Sequence, residues 1–528
     1  MTAPTTSRWW TLLVVGIGTF MLMLDISVAS IALPQIRASL HASFAELQWV
    51  FDAYALTLAA FLVTAGSIAD RRGRRGLFFL GLLVFTAASL SCGLAPNAVA
   101  LNVSRGCQGV GAAILFAVGP ALLGQAFHGK ERAMAFGVFG AVTGIAVASG
   151  PLIGGGLTSG VSWRWIFLLN VPLGVSAAVI TRLRVQESRD PRARGADWAG
   201  MLTFTVALAA IVYALIRGNE IGWTSPEILA MYGISAVMLV AFVVTERRLG
   251  ERAMFPLSFF RNVIFVGISL VALIANGSAL PAIFLETNYV ENIMHLSAFS
   301  TGVRFLPLTL ALFVFGAVAG ALTGRVPFRL LMGASCVALG IGLLLARTTT
   351  ADSRWTALVP SMIGMGVGMG IFNPTRAALA IGVAEPRDAG VASGINETFQ
   401  QVGIAVGIAG IGALFQHRVV SLFADSQAGH LLGGQAASGA ARGISAGSLD
   451  SVAAAFSGLR DMVLRDGRAA FVAAFHDAML ACATCALAAA ALAALLLRTK
   501  DLHASALSLV PPETETDAAE RTAVAARS

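Results

Sequence analysis

Charged side chains are scarce in this chain. Only 12% of its 528 residues are Asp, Glu, Lys or Arg, whereas 57% are hydrophobic. An average soluble domain is about a quarter charged. Lysine is almost missing, since Lys130 and Lys500 are the only two among 36 basic residues, and this bias is typical of a GC-rich bacterial genome. The composition therefore excludes an ordinary soluble protein and favours a chain that is buried in a membrane.

The usual signatures of enzymes and of metal sites are also missing. The seven histidines are scattered and none pairs at metal-ligand spacing. No phosphate-binding loop of the GxxxxGK[ST] type occurs, so ATP is not the expected energy source. Cys482 and Cys485 form a C-x-x-C, but they lie in an apolar run without a histidine nearby. We therefore expect no enzymatic activity, no metal and no cofactor.

Apolar runs long enough to cross a bilayer recur along the whole chain. We predict fourteen transmembrane helices, at about 9–33, 47–69, 77–96, 98–124, 131–158, 163–181, 197–217, 228–246, 263–286, 301–323, 328–346, 355–381, 388–415 and 469–497. The first run is too long for a signal peptide and lacks a small-residue cleavage site, so we expect it to be retained.

The spans group as six, two and six. The predicted organisation is a first six-helix bundle (1–184), a linker with two extra spans (185–262), a second bundle (263–499) and a disordered cytoplasmic tail (500–528). A polar segment, 416–468, is expected as a long outside loop, in which Val452, Phe456, Leu459 and Val463 would form one face of a surface helix. Arginines concentrate in alternate loops, which places both termini in the cytoplasm by the positive-inside rule. Loops facing anionic lipid also explain the net charge of +8 without a nucleic-acid partner.

Asp25 and Arg105 are the clearest functional candidates, because a charge at membrane depth is costly. Asp25 lies in the first span, beyond its expected midpoint, and Arg105 lies in the fourth span. Gln108, three residues after Arg105, is a possible substrate or proton site. An intramembrane carboxyl group is a candidate for proton exchange, and an arginine cannot lose its proton but can pair with an acid. The alternatives are a helix-packing hydrogen bond for Asp25 and a structural clamp for Arg105.

Acidic residues of the second half form a further set of candidates. Glu397, followed by Gln400 and Gln401, lies within the thirteenth span and is a possible substrate or proton site. Glu286 lies toward the outer end of the ninth span, where it either has the same role or is simply solvated. Asp52 opens the second span and is expected at the water boundary.

A basic loop follows the second span, with the pattern Gly66-x-x-x-Asp70-Arg71-x-Gly73-Arg74. Gly66 and Gly73 would allow a tight turn. Asp70 would cap or face a helix N-terminus in the other half, where the helix dipole favours an anion, and this contact would close the inner gate. The simpler interpretation is a loop that only sets membrane topology.

The fifth span, within 134–160, is rich in glycine and contains a proline. Its small-xxx-small spacing predicts close packing on another helix, and the proline permits a kink. The residues concerned are Gly140, Gly144, Gly150, Pro151, Gly154 and Gly155.

These segments together resemble the fourteen-span drug:proton antiporter family of the major facilitator superfamily. The resemblance rests on 24–34, 66–76, 101–113 and 163–172, on the antiporter signature G-x-x-x-G…G-P-x-x-G-G at 140–155, on Asp197-Trp198-x-Gly200 and on 390–403. It covers nearly the whole chain except 416–468 and the tail. It implies the major facilitator fold and proton-driven efflux by alternating access, with Asp25 in coupling, Arg105 in the proton pathway and Asp70 in the gate. Glu397 departs from the family pattern, where a neutral polar residue is common.

The resemblance therefore implies a multi-pass exporter in the bacterial cytoplasmic membrane, driven by the proton gradient and acting on amphipathic drugs. Because one chain contains two complete bundles, a monomer is the default expectation. The alternatives are an exporter dedicated to a lipid, siderophore or secondary metabolite, and a proton-coupled importer. An importer of the same superfamily should lack the Gly-Pro antiporter helix.

Overall fold

A computed structural model describes residues 5–127, 129–188, 197–250, 253, 255, 257–322, 325–383 and 389–497. Helices joined by short turns make up nearly all of these residues, as expected for an all-α protein. The predicted tail, 500–528, and the linker residues 189–196 lie outside the described residues, so their predicted structure is not addressed.

Seven helices form the first half of the chain. They are α1 (Thr5–Leu40), α2 (Phe44–Arg72), α3 (Arg74–Gly93), α4 (Ala98–Ala126), α5 (Gly129–Gly160), α6 (Trp165–Leu168) and α7 (Asn170–Arg184). Local sequence explains where several of them begin. Ser43 and Glu46 form a reciprocal capping box at the start of α2, and Asn97 accepts a hydrogen bond from Ala100 N at the start of α4.

Two helices then link the halves, and the second half follows. The linker helices are α8 (Trp198–Ile221) and α9 (Pro226–Leu249). The second half contains α10 (Val263–Asn292), α11 (Ala298–Arg304), α12 (Leu306–Leu322), α13 (Phe328–Leu345), α14 (Val359–Gly382), α15 (Ala389–Ala424), α16 (Gln427–Leu432), α17 (Gly434–Ser445), α18 (Leu449–Ala455) and α19 (Arg460–Leu496).

Twelve of the fourteen predicted spans each fall largely on one helix, whereas 163–181 is divided between α6 and α7 and 301–323 between α11 and α12. Not all of these helices meet the criterion for a membrane span. Eleven of the described segments are long and apolar enough to cross a membrane, and Leu306–Gly320 is a shorter apolar helix. The helices of the second and fifth predicted spans, α2 and α5, are 29 and 32 residues long. A 20-residue helix already matches the thickness of a bilayer core.

The two halves share one pattern of neighbours. In the first half α1 packs on α5, α2 and α3 both pack on α4, and α7 packs on α1 and α3. In the second half α10 packs on α15, α12 and α13 both pack on α14, and α19 packs on α10 and α13. The same arrangement of six helices therefore occurs twice, which is how the major facilitator fold is built.

The linker helices lie outside both six-helix arrangements. Helix α8 packs on α9 and lies across the seam between α2 of the first half and α15 of the second. Asn219, near the end of α8, donates hydrogen bonds to Ala413 O at 2.6 Å and to Gln416 Oε1 at 3.4 Å. Helix α9 is largely exposed at its apolar side chains, which suits contact with lipid.

The segment 416–468 differs from its prediction. Helix α15 continues to Ala424, and α16, α17 and α18 then pack on α15 and α19. The expected surface helix over 452–463 is wrong, because α18 ends at Ala455 and a short 3₁₀ turn, Ser457–Leu459, separates it from α19. Apolar residues of α17, including Ala441 and Ile444, are fully buried.

Contacts between the halves lie toward the end of the molecule that carries the α1–α2 turn. The Phe284 ring of α10 makes edge contacts with Phe44 and Phe51 of α2, with ring centroids 5.8 Å and 6.1 Å apart. Gln48 donates a hydrogen bond to Ile408 O at 2.9 Å. Helix α11 also packs on α5 near the same end. The structure is therefore closed at this end.

Candidate functional site

Asp25 and Arg105 form an ion pair inside the first half. Their side chains come from α1 and α4, and Arg105 Nη1 lies 2.5 Å from Asp25 Oδ2. Arg105 is fully buried and Asp25 is 4% exposed. Gln108, one helical turn after Arg105, donates to the second carboxylate oxygen, Asp25 Oδ1, at 2.9 Å. Both oxygens of Asp25 therefore receive a hydrogen bond from α4.

The Arg105 guanidinium is held on several sides. Its Nε donates to Val50 O at 2.9 Å, and its Nη1 also donates to Gln108 Oε1 at 2.7 Å. The guanidinium carbon lies 4.4 Å from the centre of the Tyr54 ring, which is a cation–π distance. Helix α2 thus supplies a backbone acceptor and an aromatic face. Removing Asp25 would leave a buried charge with only neutral partners, which is costly.

Neutral polar groups extend this network to α3 and α7. Ser89 Oγ accepts hydrogen bonds from Gln108 Nε2 and from Asn170 Nδ2, both at 3.1 Å, and donates to Phe167 O at 3.0 Å. The polar chain therefore joins α1, α4, α3 and α7. Neither Ser89 nor Asn170 was expected from the sequence, because a lone serine or asparagine in an apolar helix gives no pattern.

The glycine-rich helix α5 packs directly against α1 beside Asp25. A methyl group added at Gly150 would lie 2.6 Å from Ser27 Cβ and closer still to Ser27 Oγ. One added at Gly154 would lie 2.9 Å from Val28 Cγ1. Only glycine fits at these two positions. The close approach predicted for this helix is therefore present at Gly150 and Gly154, and Gly155 is also buried. The burial and contacts of the other three signature residues, Gly140, Gly144 and Pro151, are not among those the structure describes.

A second buried ion pair lies in the second half. Arg376 of α14 donates from Nη2 to Glu397 Oε2 of α15 at 2.8 Å, and from Nη1 to Asn396 Oδ1 at 2.6 Å. Gln400 and Gln401 each donate to Glu397 Oε1 at 3.1 Å. Glu397 is therefore fully occupied by α14 and by its own helix. The sequence indicated Glu397 and Gln401 but did not indicate that Arg376 pairs with them.

Asp52, which was expected at the water boundary, and Glu286, for which solvation was one of two expectations, are both buried. Glu286 is fully buried in α10, with Oε1 accepting from Ser361 Oγ at 2.8 Å and Oε2 lacking a hydrogen-bond donor among the described residues. Asp52 is also fully buried, and neither carboxylate oxygen has a donor among those residues. The expectation that Asp52 is solvated is wrong, because the loop before α2 is short and the second half covers this end of the helix.

The loop after α2 turns sharply at Gly73, whose φ is +122°. Glu187, after α7, accepts hydrogen bonds from Arg75 N at 3.0 Å and Gly76 N at 3.1 Å at the start of α3. A helix N-terminus attracts an anion in this way. Arg74 Nη1 donates to Gln125 at 3.1 Å. These contacts explain why Gly73 is needed, since a side chain there would meet Glu187.

The other gate residues fall at the end of α2. Arg71 is exposed, and a methyl group at Gly66 would make an ordinary contact with Ala117 Cβ at 3.9 Å. The side chain of Asp70 lies outside the described residues, so its predicted contact with the other half stays a prediction. Across the described residues, no group of three or more His, Cys, Asp or Glu side chains has metal-binding geometry.

The paired helix arrangement and the buried Asp25–Arg105 network are those of a multi-pass membrane transporter. The Major Facilitator Superfamily model matches residues 15–408, and the chain belongs to this superfamily.

Its relatives are resistance and export proteins. The chain is 34% identical to the Multidrug resistance protein Stp of Mycobacterium tuberculosis over 76% of this chain and 75% of that protein. It is 35% identical to the Puromycin resistance protein pur8 of Streptomyces alboniger, covering 80% and 84% of the two chains. It is 33% identical to the Tetracenomycin C resistance and export protein of Streptomyces glaucescens, covering 80% and 78%.

The fold also matches a solved transporter. A crystal structure of a bacterial homologue of the human lysosomal transporter Spinster, inward-facing and unoccupied, covers 95% of this chain and 99% of its own, with a TM-score of 0.64 and 17% identity. The predicted superfamily and the predicted all-helical fold are therefore confirmed, although eleven rather than fourteen of the described segments meet the criterion for a membrane span. The relatives named here are resistance and export proteins.

Proposed function

We propose that this protein exports amphipathic small molecules across the bacterial cytoplasmic membrane in exchange for protons. The observation that carries the proposal is the buried contact between Asp25 and Arg105, reinforced by Gln108. The relatives named for multidrug resistance, puromycin resistance and tetracenomycin C export support the direction of transport. The protein acts as a monomer with both termini in the cytoplasm, and the proton gradient replaces any cofactor.

Proton binding at Asp25 would change how α1 is held. In the state described here the Asp25 carboxylate is paired with the Arg105 guanidinium. A proton on Asp25 would remove the ion pair and weaken the attachment of α1 to α4. Because α1 also packs against Gly150 and Gly154 of α5, its movement would be passed to the antiporter helix. The helices α1, α4 and α5 would then have two arrangements, one with Asp25 paired to Arg105 and one with Asp25 protonated, and switching between them would produce alternating access.

With the termini inside, the closed end of the molecule faces the exterior. We propose that the inner gate closes when Asp70 and the loop that contains Gly66, Arg71, Gly73 and Arg74 reach the second half. Glu397 with Gln401, and Glu286, are secondary sites for substrate or protons.

Transport into reconstituted vesicles tests the coupling. A fluorescent amphipathic dye should be moved uphill by the wild-type protein when a pH gradient is imposed. Asp25→Asn keeps an acceptor for Arg105 but cannot cycle a proton, so it should bind dye in detergent and lose uphill transport. Asp461→Asn changes an exposed carboxylate on α19 and is the matched control. Normal uphill transport by Asp25→Asn would refute the proposed role of Asp25.

A dedicated exporter of a secondary metabolite is the second candidate. It is favoured by the similarity to the Tetracenomycin C resistance and export protein and to a probable actinorhodin transporter of Streptomyces coelicolor, which is 31% identical. A panel of cationic, neutral and acidic substrates in the same vesicles separates the two candidates. A multidrug exporter should move several classes, whereas a dedicated exporter should move one.

A further inference from the structure

The segment 163–172 connects the end of α5 to the start of α7 and carries the Trp-Arg-Trp and Asn-Val-Pro sequences. Arg164 Nη1 donates to Ala95 O at 2.8 Å, just beyond the end of α3, and the guanidinium carbon lies 4.5 Å from the centre of the Trp163 ring. The Trp163 ring makes an edge contact with Phe167, with ring centroids 6.2 Å apart. These contacts hold the segment against the end of α3.

Ser89 of α3 is the point where this segment meets the Asp25 network. Its Oγ donates to Phe167 O at 3.0 Å and accepts from Asn170 Nδ2 and Gln108 Nε2, both at 3.1 Å. A hydroxyl group has one proton to donate and two lone pairs, so all three are in use. Because a backbone carbonyl can only accept, the Ser89 proton points to Phe167. The Gln108 amide must therefore present its N–H groups to Ser89.

The orientation of the Gln108 amide decides what it offers to the ion pair. With Nε2 toward Ser89, the same nitrogen donates to Asp25 Oδ1 at 2.9 Å. The amide oxygen, Oε1, is left to accept from Arg105 Nη1 at 2.7 Å and from Cys92 Sγ at 3.7 Å. A turned amide would place its oxygen against the Asp25 carboxylate and its N–H groups against the guanidinium. Two hydrogen bonds would then become two repulsive contacts.

We propose that Ser89 and Asn170 are positioning residues, which keep the Gln108 amide preset for Asp25 while α1 leaves and returns. The inference rests on the coupling role of Asp25 in the proposed function. Gln108 has partners on α3 and α4 as well as on α1, so its orientation persists when α1 moves. A donor that is already oriented needs no rearrangement when the ion pair forms again.

Asn170 suits this role better than it suits the joining of two helices. It is 1% exposed, and its Oδ1 has no hydrogen-bond donor among the described residues. A buried acceptor without a donor is costly, so an apolar side chain of the same size would hold α7 to α3 at least as well. What a leucine would lack is the N–H that occupies the second lone pair of Ser89.

Two measurements in the same reconstituted vesicles test the inference. Equilibrium dye exchange needs alternating access without net proton movement, whereas uphill efflux under a pH gradient needs both. Ser89→Ala frees the Gln108 amide, so dye binding in detergent and equilibrium exchange should be kept. The ratio of uphill efflux to exchange should fall about threefold to tenfold, as expected for one lost hydrogen bond. Ser89→Cys keeps a weak S–H donor and should lie between Ser89→Ala and the wild type.

Ser335→Ala is the matched control in the second half. Ser335 is 1% exposed on α13, and its Oγ bonds within its own helix, to Met332 O at 2.7 Å and to Cys336 Sγ at 4.0 Å. This variant should keep the wild-type ratio. If Ser89 had only a structural role, Ser89→Ala would lower exchange and uphill efflux together and leave their ratio unchanged. That result would overturn the proposal.

Asn170→Leu tests whether Asn170 acts through Ser89. Alone it should lower the ratio less than Ser89→Ala does, because Phe167 O still directs the Ser89 proton. Combined with Ser89→Ala it should lower the ratio no further, since the hydroxyl group through which it acts is gone. An unchanged ratio in the single variant, or a further loss in the double variant, would refute the role of Asn170.

Asp25→Asn separates this inference from the proposed function. Normal uphill efflux by Asp25→Asn refutes the proposed function, whatever the behaviour of Ser89→Ala. Loss of uphill efflux in Asp25→Asn, together with a wild-type ratio in Ser89→Ala, refutes the positioning role alone.

Discussion

Replacing Gly150 by alanine should destabilise the protein and disturb coupling, although alanine is the better helix former. The added methyl group would lie 2.6 Å from Ser27 Cβ, a distance that real side-chain carbons do not adopt. Overpacking of this kind costs about 1–3 kcal/mol. The better helix propensity of alanine returns about 1 kcal/mol. We therefore expect a net loss of up to about 2 kcal/mol.

Gly156→Ala is the matched control on the same helix. A methyl group there would lie 3.9 Å from Phe299 Cδ2, which is an ordinary contact. This variant should be neutral or stabilised by up to about 1 kcal/mol. Comparing the two variants removes the effect of helix propensity and leaves the effect of the contact with α1.

A second-site change identifies the contact directly. Ser27→Gly removes the two Ser27 side-chain atoms that the new methyl group would meet and leaves only an ordinary contact with the Ser27 backbone at 3.4 Å. Gly150→Ala combined with Ser27→Gly should therefore be more stable than the sum of the two single changes predicts. The assay is thermal unfolding in detergent followed by dye efflux from vesicles under a pH gradient. Equal stability of Gly150→Ala and Gly156→Ala, with no coupling to Ser27, would refute the packing argument.

Three further predictions concern the second half and the ends of the molecule. Glu397→Ala should lower the free energy of unfolding by about 3–5 kcal/mol, because it leaves the Arg376 guanidinium buried without its carboxylate. Glu397→Gln should lower it much less. Equal thermal unfolding of the two variants would contradict this prediction. Gln48→Ala removes a hydrogen bond between the halves, so spin labels placed across the closed end should show a larger open population than in the wild type. Asp70→Asn should increase cysteine labelling of inner cavity positions while folding is kept, and unchanged labelling with unchanged transport would leave Asp70 with only a topological role.

In the first half, the sequence predicted the helices and the charged site residues, but it did not predict which residues contact each other. Asp25 and Arg105 stand out because charge is rare in apolar helices, and their contact is the central feature of the site. Ser89 and Asn170 could not be found in that way, since neutral polar residues cost little in such helices and follow no spacing. The approximate positions of α1 to α5 could be predicted from hydropathy, although α1 runs on to Leu40, past the predicted end at 33. Which helices pack against each other depends on tertiary contacts and could not be predicted in that way.

Burial was predicted less accurately for residues near the ends of helices, and the reason is physical. Asp52 and Glu286 lie close to predicted span ends, and a linear sequence does not tell which ends are covered by the opposite half. The 416–468 segment contains no long apolar run, because its helices bury small residues such as Ala441 inside the protein rather than facing lipid. A search for membrane spans therefore did not predict its helices.

The 416–468 segment is a suitable site for attaching a probe that reports movement between the two halves. Helices α16 to α18 pack on α15 and α19, and Gly447 lies against Asn292 at the end of α10, so the segment is attached to the second half. Gly433 joins α16 to α17 with a φ of +74° and has no atom within 4 Å of an added methyl group. An exposed turn of this kind tolerates insertion. An epitope inserted there would carry an antibody fragment as a fiducial for electron microscopy, and its orientation would report the rocking of the second half against the first.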